Sequence, residues 1–258
     1  MSSKPRSAQP YFLSLGTLLL PALLTGACGA PIEDGQFTEN SSENLTEQTG
    51  TICPGATKIY GIDVSYYQGN INWASVKASG KQFAIIRYSD GTGFLDPKFE
   101  TNWKNAKAAG LTVGAYQFFR PGQDPIAQAD ALVNKLAALG GTGRPNLPPM
   151  IDVEVKDGVS NATIIARVNQ WLARVQSRTG RQPLLYSGPG FWNGLGNPTP
   201  SPLPYLCDAH WGASCPTVPS PWGRLRFWQY SATGSVPGIT GNVDLDLYNG
   251  SLAEMQGL

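Results

Sequence analysis

Short apolar runs and longer amphipathic runs alternate along the chain from Lys58 onward. The short runs are rich in β-branched and aromatic residues and predict seven strands, at 58–65, 83–89, 111–119, 148–155, 182–187, 224–231 and 243–248. The longer runs have helical periodicity and predict four helices between the early strands, several ending at glycine as helix C-caps do, at 72–80, 96–110, 124–141 and 160–180. Strands that alternate with helices predict an α/β fold with a parallel sheet.

The pattern changes after Gly188, where Pro, Gly and Trp become frequent and no further long amphipathic run appears. A barrel that begins as βα repeats and ends as nearly bare strands fits this change better than an open, doubly wound sheet. No GxGxxG sequence follows a strand and no Walker-type loop occurs, so nucleotide binding has no support. We expect no cofactor.

The N-terminus, residues 1–30, has the layout of a secretory signal. Two basic residues, Lys4 and Arg6, precede an apolar stretch at 11–24 and then small residues, which is the order of a signal peptide. The apolar stretch is about 14 residues long and too short for a comfortable membrane span. We therefore expect an exported protein, either secreted or held at the outer surface or in the periplasm.

The end of this signal has two interpretations. The sequence "LLTGAC" resembles a bacterial lipobox with Cys28 as the lipidated residue, although Thr25 stands where an aliphatic residue is usual. The alternative is ordinary cleavage near Ala27 or Ala30, which frees a soluble protein. Residues 31–57 are predicted to be a disordered acidic linker and residues 58–258 the folded domain. Contact with a membrane is expected only through such a lipid anchor.

The four cysteines are Cys28, Cys53, Cys207 and Cys215. Export favours disulfides, and Cys207 and Cys215 flank one loop, so we predict that they pair. Cys53 is then unpaired if Cys28 is lipidated, or bonded to Cys28 if it is not. With a single histidine in the chain, His210, the cysteines make a poor zinc site.

The net charge of +1 hides a split along the chain. Residues 31–51 carry five acids and no base, whereas residues 52–258 carry 17 bases and 13 acids, a net charge of +4. That excess is too small to indicate nucleic-acid binding, and no aromatic-interleaved basic patch accompanies it. We expect a monomer that does not bind nucleic acid.

Two acids, Asp152 and Glu154, lie two residues apart at the end of the apolar run "LPPMIDVEV". Side chains at this spacing in a strand leave the same face, and two like charges repel unless one holds a proton. Asp63 also lies inside an apolar run, and Asp244 falls in the last predicted strand. In a parallel barrel the C-terminal ends of the strands gather at one mouth, so we expect these acids to converge. Asp90, before Gly91, is expected to be a turn residue.

A carboxylate pair of this kind suits glycoside hydrolysis. One carboxyl with a raised pKa donates a proton to the leaving oxygen while an ionised neighbour stabilises or positions another group. A site for a hard cation, built by Asp63, Asp152, Glu154 and Asp244, stays open as an alternative. A serine or cysteine triad is disfavoured, because His210 has no nucleophile motif near it. Aromatic residues at the predicted strand ends favour a saccharide, whose rings stack on aromatic faces; they are Tyr66, Tyr67, Tyr88, Tyr116, Phe118, Tyr186, Trp211, Trp228 and Tyr230.

Five segments, in order and spacing, resemble the glycoside hydrolase family 25 lysozymes, which are N-acetylmuramidases: "GIDVSYYQGNINW" (61–73), "GAYQFFRP" (114–121), "PPMIDVEV" (148–155), "LLYSG" (184–188) and "FWQYSATGSVPGITGNVDL" (227–245). The resemblance implies a TIM-barrel-like, flattened (β/α)5(β)3 barrel. It also implies hydrolysis, with retention, of the β-1,4 bond from N-acetylmuramic acid to N-acetylglucosamine in peptidoglycan. A non-catalytic, peptidoglycan-binding surface lipoprotein is the rival interpretation.

The resemblance also implies roles for individual residues. Glu154 resembles the general acid/base, and Asp152 its partner, which assists the 2-acetamido group of the substrate. Asp63 and Asp244 match the remaining acids of the family's site. The residues that match groove-lining positions, or are aromatics at the same strand ends, are Tyr88, Tyr116, Tyr186, Trp228 and Gln229. Gln117 stands where the family usually has histidine and is expected to be a further substrate-binding residue. The segment before "WGASC" also departs from the family pattern.

Overall fold

The computed structural model describes residues 50–258. Its strands are β1 (Gly50–Thr51), β2 (Ile59–Val64), β3 (Phe83–Asp90), β4 (Phe94–Leu95), β5 (Thr112–Phe118), β6 (Met150–Asp152), β7 (Leu184–Ser187), β8 (Tyr205–Ala209), β9 (Thr217–Val218), β10 (Phe227–Gly234) and β11 (Val243–Tyr248). Its helices are α1 (Trp73–Ala78), α2 (Phe99–Ala108), α3 (Pro125–Ala138), α4 (Asn161–Thr179), α5 (Pro189–Gly194) and α6 (Leu252–Gln256). Every predicted strand and helix has a counterpart among them.

Eight of the strands close into a barrel in the order β2, β3, β5, β6, β7, β8, β10 and β11, and β11 pairs with β2 to complete the circle. The neighbouring pairs from β2 to β10 are parallel, whereas β11 runs antiparallel to both of its neighbours. Five βα units, from β2α1 to β7α5, are followed by three strands without an intervening long helix. The predicted (β/α)5(β)3 barrel is confirmed.

Helix ends follow the local sequence signals. Asp124 caps α3, since its side chain accepts from the backbone N–H groups of residues 126 and 127, and Pro125 occupies the first turn, where its missing N–H costs nothing. Ser160 caps α4 in the same way, and Gly180 ends it with φ of 67°, a left-handed conformation that favours glycine. The two N-caps fix where the loops at the barrel mouth end, whereas Gly180 begins a loop at the opposite end of the barrel.

Apolar side chains form two layers, one on each side of the barrel wall. The outer layer lies between strands and helices and includes the fully buried Trp103 and Trp171. The inner layer fills the barrel with large side chains such as Phe83 and Phe227, whose rings meet edge to face at 5.8 Å. A Cβ at Gly61 would lie 2.4 Å from the ring of Phe83, so only glycine fits there.

The folded domain begins earlier than predicted. Residues 50–57 were assigned to the linker, but β1 pairs antiparallel with β9 and the N–H of Ile52 donates to the carbonyl of Pro216 at 3.0 Å. The polar composition before Lys58 led to a predicted boundary that is too late in the chain. The segment is folded because it pairs with residues more than 150 positions away.

The disulfide joins Cys53 to Cys215, so the predicted Cys207–Cys215 pair is wrong. Cys207 lies on β8 with its side chain buried inside the barrel, and it is the free cysteine of residues 50–258. Cys215 lies on the loop beyond that strand, where the β1–β9 ladder brings Cys53 within 4.6 Å, Cα to Cα. Cys207 and Cys215 therefore do not pair, although they flank one loop, because the side chain of Cys207 lies inside the barrel.

The predicted signal segment, including Cys28, and most of the predicted linker lie outside the described residues. Within residues 50–258, each helix is too short or too polar to cross a membrane.

Candidate active site

Four of the predicted acids converge in one pocket at the barrel mouth. The pocket has a volume of about 240 Å³. Asp152 is the last residue of β6, Glu154 follows it by two residues, and Asp63 and Asp244 come from β2 and β11. The full lining consists of Asp63, Tyr116, Met150, Asp152, Glu154, Tyr186, Trp211, Gln229, Ala232 and Asp244. The convergence that the sequence predicted is therefore present.

Asp244 reaches the mouth for a different reason from the one predicted. It lies near the N-terminal end of β11, not at a C-terminal end, and the strand is antiparallel to β2, so Asp244 pairs directly with Asp63. Asp246 lies two residues further along the same face of β11, opposite Gly61, and is only 1% exposed. The last strand thus supplies one acid to the pocket and a second one beneath it.

Gln229 on β10 ties three sides of the pocket together. Its Nε2 donates to Oδ2 of Asp63 at 2.6 Å. Its Oε1 accepts from the hydroxyl of Tyr186 at 3.0 Å and from Nε1 of Trp211 at 2.7 Å. Because both ends of the amide are occupied, Gln229 holds Asp63 and Trp211 in fixed positions relative to Tyr186.

Burial raises the pKa of both members of the Asp152 and Glu154 pair. For Asp152, which is buried, desolvation and then the charge of Glu154 raise the pKa well above its usual range, while Arg87 lowers it. For Glu154, whose side chain keeps exposed surface at the pocket mouth, desolvation and then the charge of Asp244 raise the pKa. The two carboxyls titrate as a coupled pair, in which the charge of Glu154 disfavours ionisation of Asp152.

The other acids of the mouth also resist ionisation. Desolvation, followed by the charges of Asp246 and Asp244, raises the pKa of Asp63 well above its usual range. Desolvation raises the pKa of Asp244 to about 6, and the hydrogen bond to Asp63 opposes this rise. The same burial raises the pKa of the Tyr116 hydroxyl, which therefore stays protonated. The pocket offers hydroxyl and carboxyl donors beside carboxylate acceptors, a combination suited to proton transfer.

Arg87 and Phe94 were not predicted, whereas the neighbouring Tyr66 and Tyr67 were expected among the aromatic residues at the strand ends. Arg87 lies on β3, where its Nε donates to Oδ2 of Asp96 at 3.1 Å. Its guanidinium lies 5.0 Å from the ring centroid of Tyr66 and 5.3 Å from that of Tyr67, and Phe94 completes an exposed apolar rim. A charged residue within the apolar run "FAIIRYS" was the signal that could have found it.

Three residues expected to line the groove lie outside the pocket that the four acids share. Gln117 is fully buried beneath α4, donating to the Ser89 hydroxyl at 2.9 Å and accepting from Nε1 of Trp171 at 2.9 Å. Trp228 faces away from the barrel interior and packs in the outer apolar layer. Tyr88 packs on Phe99 at the irregularity where β3 has one extra residue. Tyr116, Tyr186 and Gln229 do line the pocket.

The remaining sequence predictions concern residues beside the pocket. Asp90 ends β3 and forms an ion pair with Arg120, its Oδ2 accepting at 2.7 Å. His210 lies in a loop, where its Nδ1 accepts from the N–H of Thr217 at 3.0 Å. Across residues 50–258, no group of three or more His, Cys, Asp or Glu side chains has an arrangement that could hold a metal ion.

Comparison with known proteins converges on one family. A sequence model described as "Glycosyl hydrolases family 25" matches residues 62–239. Lysozyme M1 of Streptomyces globisporus is 41% identical over 221 residues, covering 81% of this chain and 74% of its own length. The crystal structure of the bacterial lysozyme from Streptomyces coelicolor superposes with a TM-score of 0.72 at 38% identity, covering 79% of this chain and 98% of that one. The muramidase from Trichobolus zukalii gives 0.69 at 30% identity, covering 78% and 98%.

Proposed function

The chain belongs to glycosyl hydrolases family 25, and from that premise we propose that it is an exported muramidase acting on peptidoglycan. The bond cleaved is the β-1,4 bond from N-acetylmuramic acid to N-acetylglucosamine, with retention of configuration. The observation that carries the proposal is the pair formed by the buried Asp152 and by Glu154 at the mouth, which line one pocket with Asp63 and Asp244. The similarity to Streptomyces globisporus lysozyme M1 supports the same activity.

Glu154 is the proposed general acid. Its carboxyl lies at the mouth, where it retains solvent exposure and can reach the oxygen between two sugar rings. Desolvation and then the charge of Asp244 raise its pKa, which favours the protonated form that a general acid requires. After the glycosidic bond breaks and the proton has moved to the leaving oxygen, the Glu154 carboxylate accepts a proton from the attacking water.

Asp152 is the proposed partner of the substrate's 2-acetamido group. One of its oxygens, Oδ1, has no hydrogen-bond partner among the described residues. The acetamido N–H of a bound sugar supplies the missing donor, which stabilises the anion of Asp152 and lowers its pKa. Substrate binding therefore favours the state in which Asp152 is ionised and Glu154 holds the proton that the reaction requires.

The acetamido group then acts as the internal nucleophile. Its carbonyl oxygen forms a bond to the anomeric carbon as the bond to the leaving oxygen breaks, and the N–H proton is held by Asp152. Water attacks the anomeric carbon from the face that the leaving group vacated and gives up a proton to Glu154, while the bond from the acetamido oxygen to that carbon breaks and the acetamido group is restored. Two inversions give net retention, and no group of the protein forms a covalent bond to the sugar.

Aromatic side chains provide the surfaces on which sugar rings stack. Trp211 is 55% exposed beside the acids and is held by Gln229. On the other side of the mouth, Tyr66 and Tyr67 stack at 4.2 Å beneath an open surface. We propose that a glycan strand crosses the pocket between these two aromatic surfaces, which lie on either side of Glu154 in the order of the barrel strands.

Export and anchorage are proposed from the sequence of residues 1–30, with a disulfide-compatible compartment supported by the Cys53–Cys215 bond. Mass spectrometry of the mature N-terminus distinguishes a lipidated Cys28 from cleavage near Ala27 or Ala30. A full-length N-terminus in cell extract, with no processed form, would overturn the export proposal.

The test of the activity is release of reducing ends from purified peptidoglycan by the wild type, by Glu154→Gln and by the control Glu100→Gln. Glu100 is an exposed glutamate of α2 that pairs with Lys104 and Lys135 outside the pocket. We expect Glu154→Gln to lose about 10²- to 10⁴-fold in rate, the usual contribution of a general acid, and Glu100→Gln to keep wild-type activity. A folded wild type that binds wall material without releasing ends is a binding module, and a fully active Glu154→Gln would also contradict the proposal.

A further inference from the structure

A second groove lies on the outer wall of the barrel, and the proposed reaction makes no use of it. Its volume is about 530 Å³, against about 240 Å³ for the pocket of acids, and the two share no lining residue. This outer groove is lined chiefly by Lys58, Tyr60, Gly212, Trp228, Tyr230 and Leu247. It is therefore a separate site in search of a ligand.

The outer groove lies on the strand-only part of the barrel wall. Tyr60 of β2 pairs in register with Leu247 of β11, and Leu247 pairs with Trp228 of β10. Residues in register share a face of a sheet, and Trp228 and Leu247 belong to the outer apolar layer. Loop residues 212–214 and Pro54 form the sides of the groove. The Cys53–Cys215 disulfide joins these two segments, so the sides are held together.

Three aromatic rings form a continuous surface in the outer groove. The centroid of Tyr230 lies 6.3 Å from that of Tyr60 and 5.8 Å from that of Trp228, both in edge-to-face geometry. The Trp228 indole is fixed, because its Nε1 donates to the carbonyl of His210 at 2.8 Å. Tyr60 remains 39% exposed and Tyr230 is half-buried. An ordered aromatic surface that reaches solvent suits the apolar face of a sugar ring.

The outer groove is also positively charged. Lys58 is exposed within it, and Nζ of Lys81 lies 5.6 Å from the centroid of the Tyr60 ring. Its lining contains no acid, and the salt bridges of residues 50–258 involve neither lysine. Charge complementarity therefore favours an anionic ligand. A peptidoglycan strand combines sugar rings with the carboxylates of its peptides, whereas chitin has the rings without the charge.

One loop separates the outer groove from the pocket of acids. Trp211 lines the pocket, and the next residue, Gly212, lines the groove. Gly212 has φ of 69°, a left-handed conformation that favours glycine, and its N–H donates to the carbonyl of Tyr230 at 3.3 Å. A polymer bound in the groove therefore lies beside the loop that forms one wall of the pocket.

We propose that the outer groove is a second, non-catalytic site that binds a peptidoglycan strand. A sugar ring stacks on the surface of Tyr60, Trp228 and Tyr230, and peptide carboxylates pair with Lys58 and Lys81. The site holds the enzyme on insoluble wall while the pocket of acids acts on a strand. The choice of peptidoglycan as the ligand rests on the proposed function.

The test is sedimentation of the protein with purified, insoluble peptidoglycan, using Glu154→Gln as the parent so that the wall is not consumed. Tyr60→Ala removes the exposed ring, and Lys58→Glu with Lys81→Glu reverses the charge. The matched controls in the same parent are Leu203→Ala, since Leu203 is 40% exposed and lies outside both sites, and Lys104→Glu with Lys107→Glu, which reverses two exposed lysines of α2. Circular dichroism checks that each variant is folded.

We expect Tyr60→Ala to raise the Kd for peptidoglycan by about 3- to 10-fold through the lost stacking surface. The reversal at Lys58 and Lys81 should raise it by about 10-fold at low salt, and this effect should shrink as salt is added. Both controls should keep the Kd of the parent. On chitin, a neutral glycan, the parent should bind more weakly, and the reversal should have no more effect than the control reversal.

Three results would overturn the proposal. One is a parent Kd for peptidoglycan in both groove variants, or an equal loss in their matched controls. Another is binding to chitin that is as tight as binding to peptidoglycan. The third is a parent that forms a dimer on size-exclusion chromatography and becomes monomeric in Tyr60→Ala, since the groove would then contact a second copy. If the wild type releases no reducing ends from any wall, the proposed function fails, and the sedimentation series still decides whether the groove binds peptidoglycan.

Discussion

At the scale of single residues, two buried glutamines have the same local chemistry on opposite faces of the barrel wall. Each accepts an indole N–H through its Oε1, Gln229 from Trp211 at 2.7 Å and Gln117 from Trp171 at 2.9 Å. Gln229 faces the pocket and also donates to Asp63, whereas Gln117 faces α4 and donates to Ser89. We therefore expect Gln229 to have a functional role and Gln117 a structural one.

Replacing each glutamine by leucine should divide these roles. Gln229→Leu removes the donor to Asp63 and the acceptor of Tyr186 and Trp211, so we expect kcat/KM to fall by about 10- to 100-fold. Gln117→Leu leaves the buried Nε1 donor of Trp171 and the hydroxyl acceptor of Ser89 without their partner. We therefore expect it to destabilise the fold by about 1–3 kcal/mol and to leave kcat/KM of the folded protein unchanged. Steady-state kinetics and urea unfolding measure the two effects. The reverse pattern would contradict the assigned faces.

The aromatic rim should contribute to binding more than to chemistry. Tyr67 is 69% exposed and stacks on Tyr66, so Tyr67→Ala should raise KM by about 3- to 10-fold through the lost stacking surface, with kcat nearly unchanged. Leu203, 40% exposed and outside the pocket, is the control. An equal rise in KM for Leu203→Ala would show that the effect is not local to the rim.

Two features of the strands explain why three residues expected to line the groove lie outside the pocket. Successive side chains of a strand point to opposite faces, so the inward positions of Tyr116 and Gln229 force Gln117 and Trp228 outward. At Tyr88 the extra residue of β3 shifts the register, which a sequence pattern does not reveal. Asp152 and Glu154 were predicted correctly because their spacing of two keeps them on one face.

At the scale of elements, the disulfide fastens the first described strand to the loop that precedes β9. Its closed loop spans 162 residues, and in the chain-entropy account such a crosslink stabilises the fold mainly by restricting the unfolded chain. The loop that precedes β9 also contains Trp211, which lines the pocket. The crosslink thus lies next to one wall of the site.

Removing this crosslink with Cys53→Ala and Cys215→Ala together should destabilise the domain by about 2–5 kcal/mol. The Tm of the wild type should fall when a reductant is added, and that of the double variant should not. Peptide mapping without reduction should recover the Cys53–Cys215 crosslink. A Cys207–Cys215 peptide, or a wild-type Tm that does not respond to reductant, would contradict the assignment.

Elements with strong periodicity were predictable, and those set by distant contacts were not. The long run at 160–180 has both a serine cap and a terminal glycine, and α4 follows it closely. By contrast, β1 and β9 have two residues each and exist only because they pair with each other. No local pattern indicates such a ladder, which is why residues 50–57 were assigned to the linker.

At the scale of the whole molecule, the buried acids make stability depend on pH in an unusual direction. The folded pKa values of Asp244, Asp208 and Asp246 are raised to about 6, 7 and 8. A group with a raised folded pKa stabilises fully below its unfolded pKa, and that stability is lost as the pH rises through the folded value. Exposed acids in ion pairs, such as Asp130 with Arg174, have lowered pKa values and act in the opposite sense below about pH 4.

The protein should therefore be most stable near pH 4 to 5, with a Tm that falls steadily towards pH 8. Differential scanning calorimetry at constant ionic strength measures this dependence. A Tm that rises from pH 5 to pH 8 would show that the buried acids are ionised at little cost in the folded protein, contrary to their described surroundings.

Barrel topology also explains why the acid set could be predicted as a group. The C-terminal ends of parallel strands meet at one mouth, which brought Asp63 and Asp152 together, and the reversed direction of β11 brought Asp244 to the same place. The sequence did not reveal that reversal. It therefore did not predict that Asp244 lines the pocket whereas Asp246 lies beneath it.

The identity of the newly formed reducing sugar tests the central claim most directly. Peptidoglycan digested by the wild type is reduced with borohydride and hydrolysed, and the amino-sugar alcohols are separated, with Glu154→Gln as the parallel control. Cleavage by a muramidase predicts the alcohol of muramic acid from the wild type and little or none from Glu154→Gln. The alcohol of glucosamine as the main product, or equal yields from both proteins, would contradict the account.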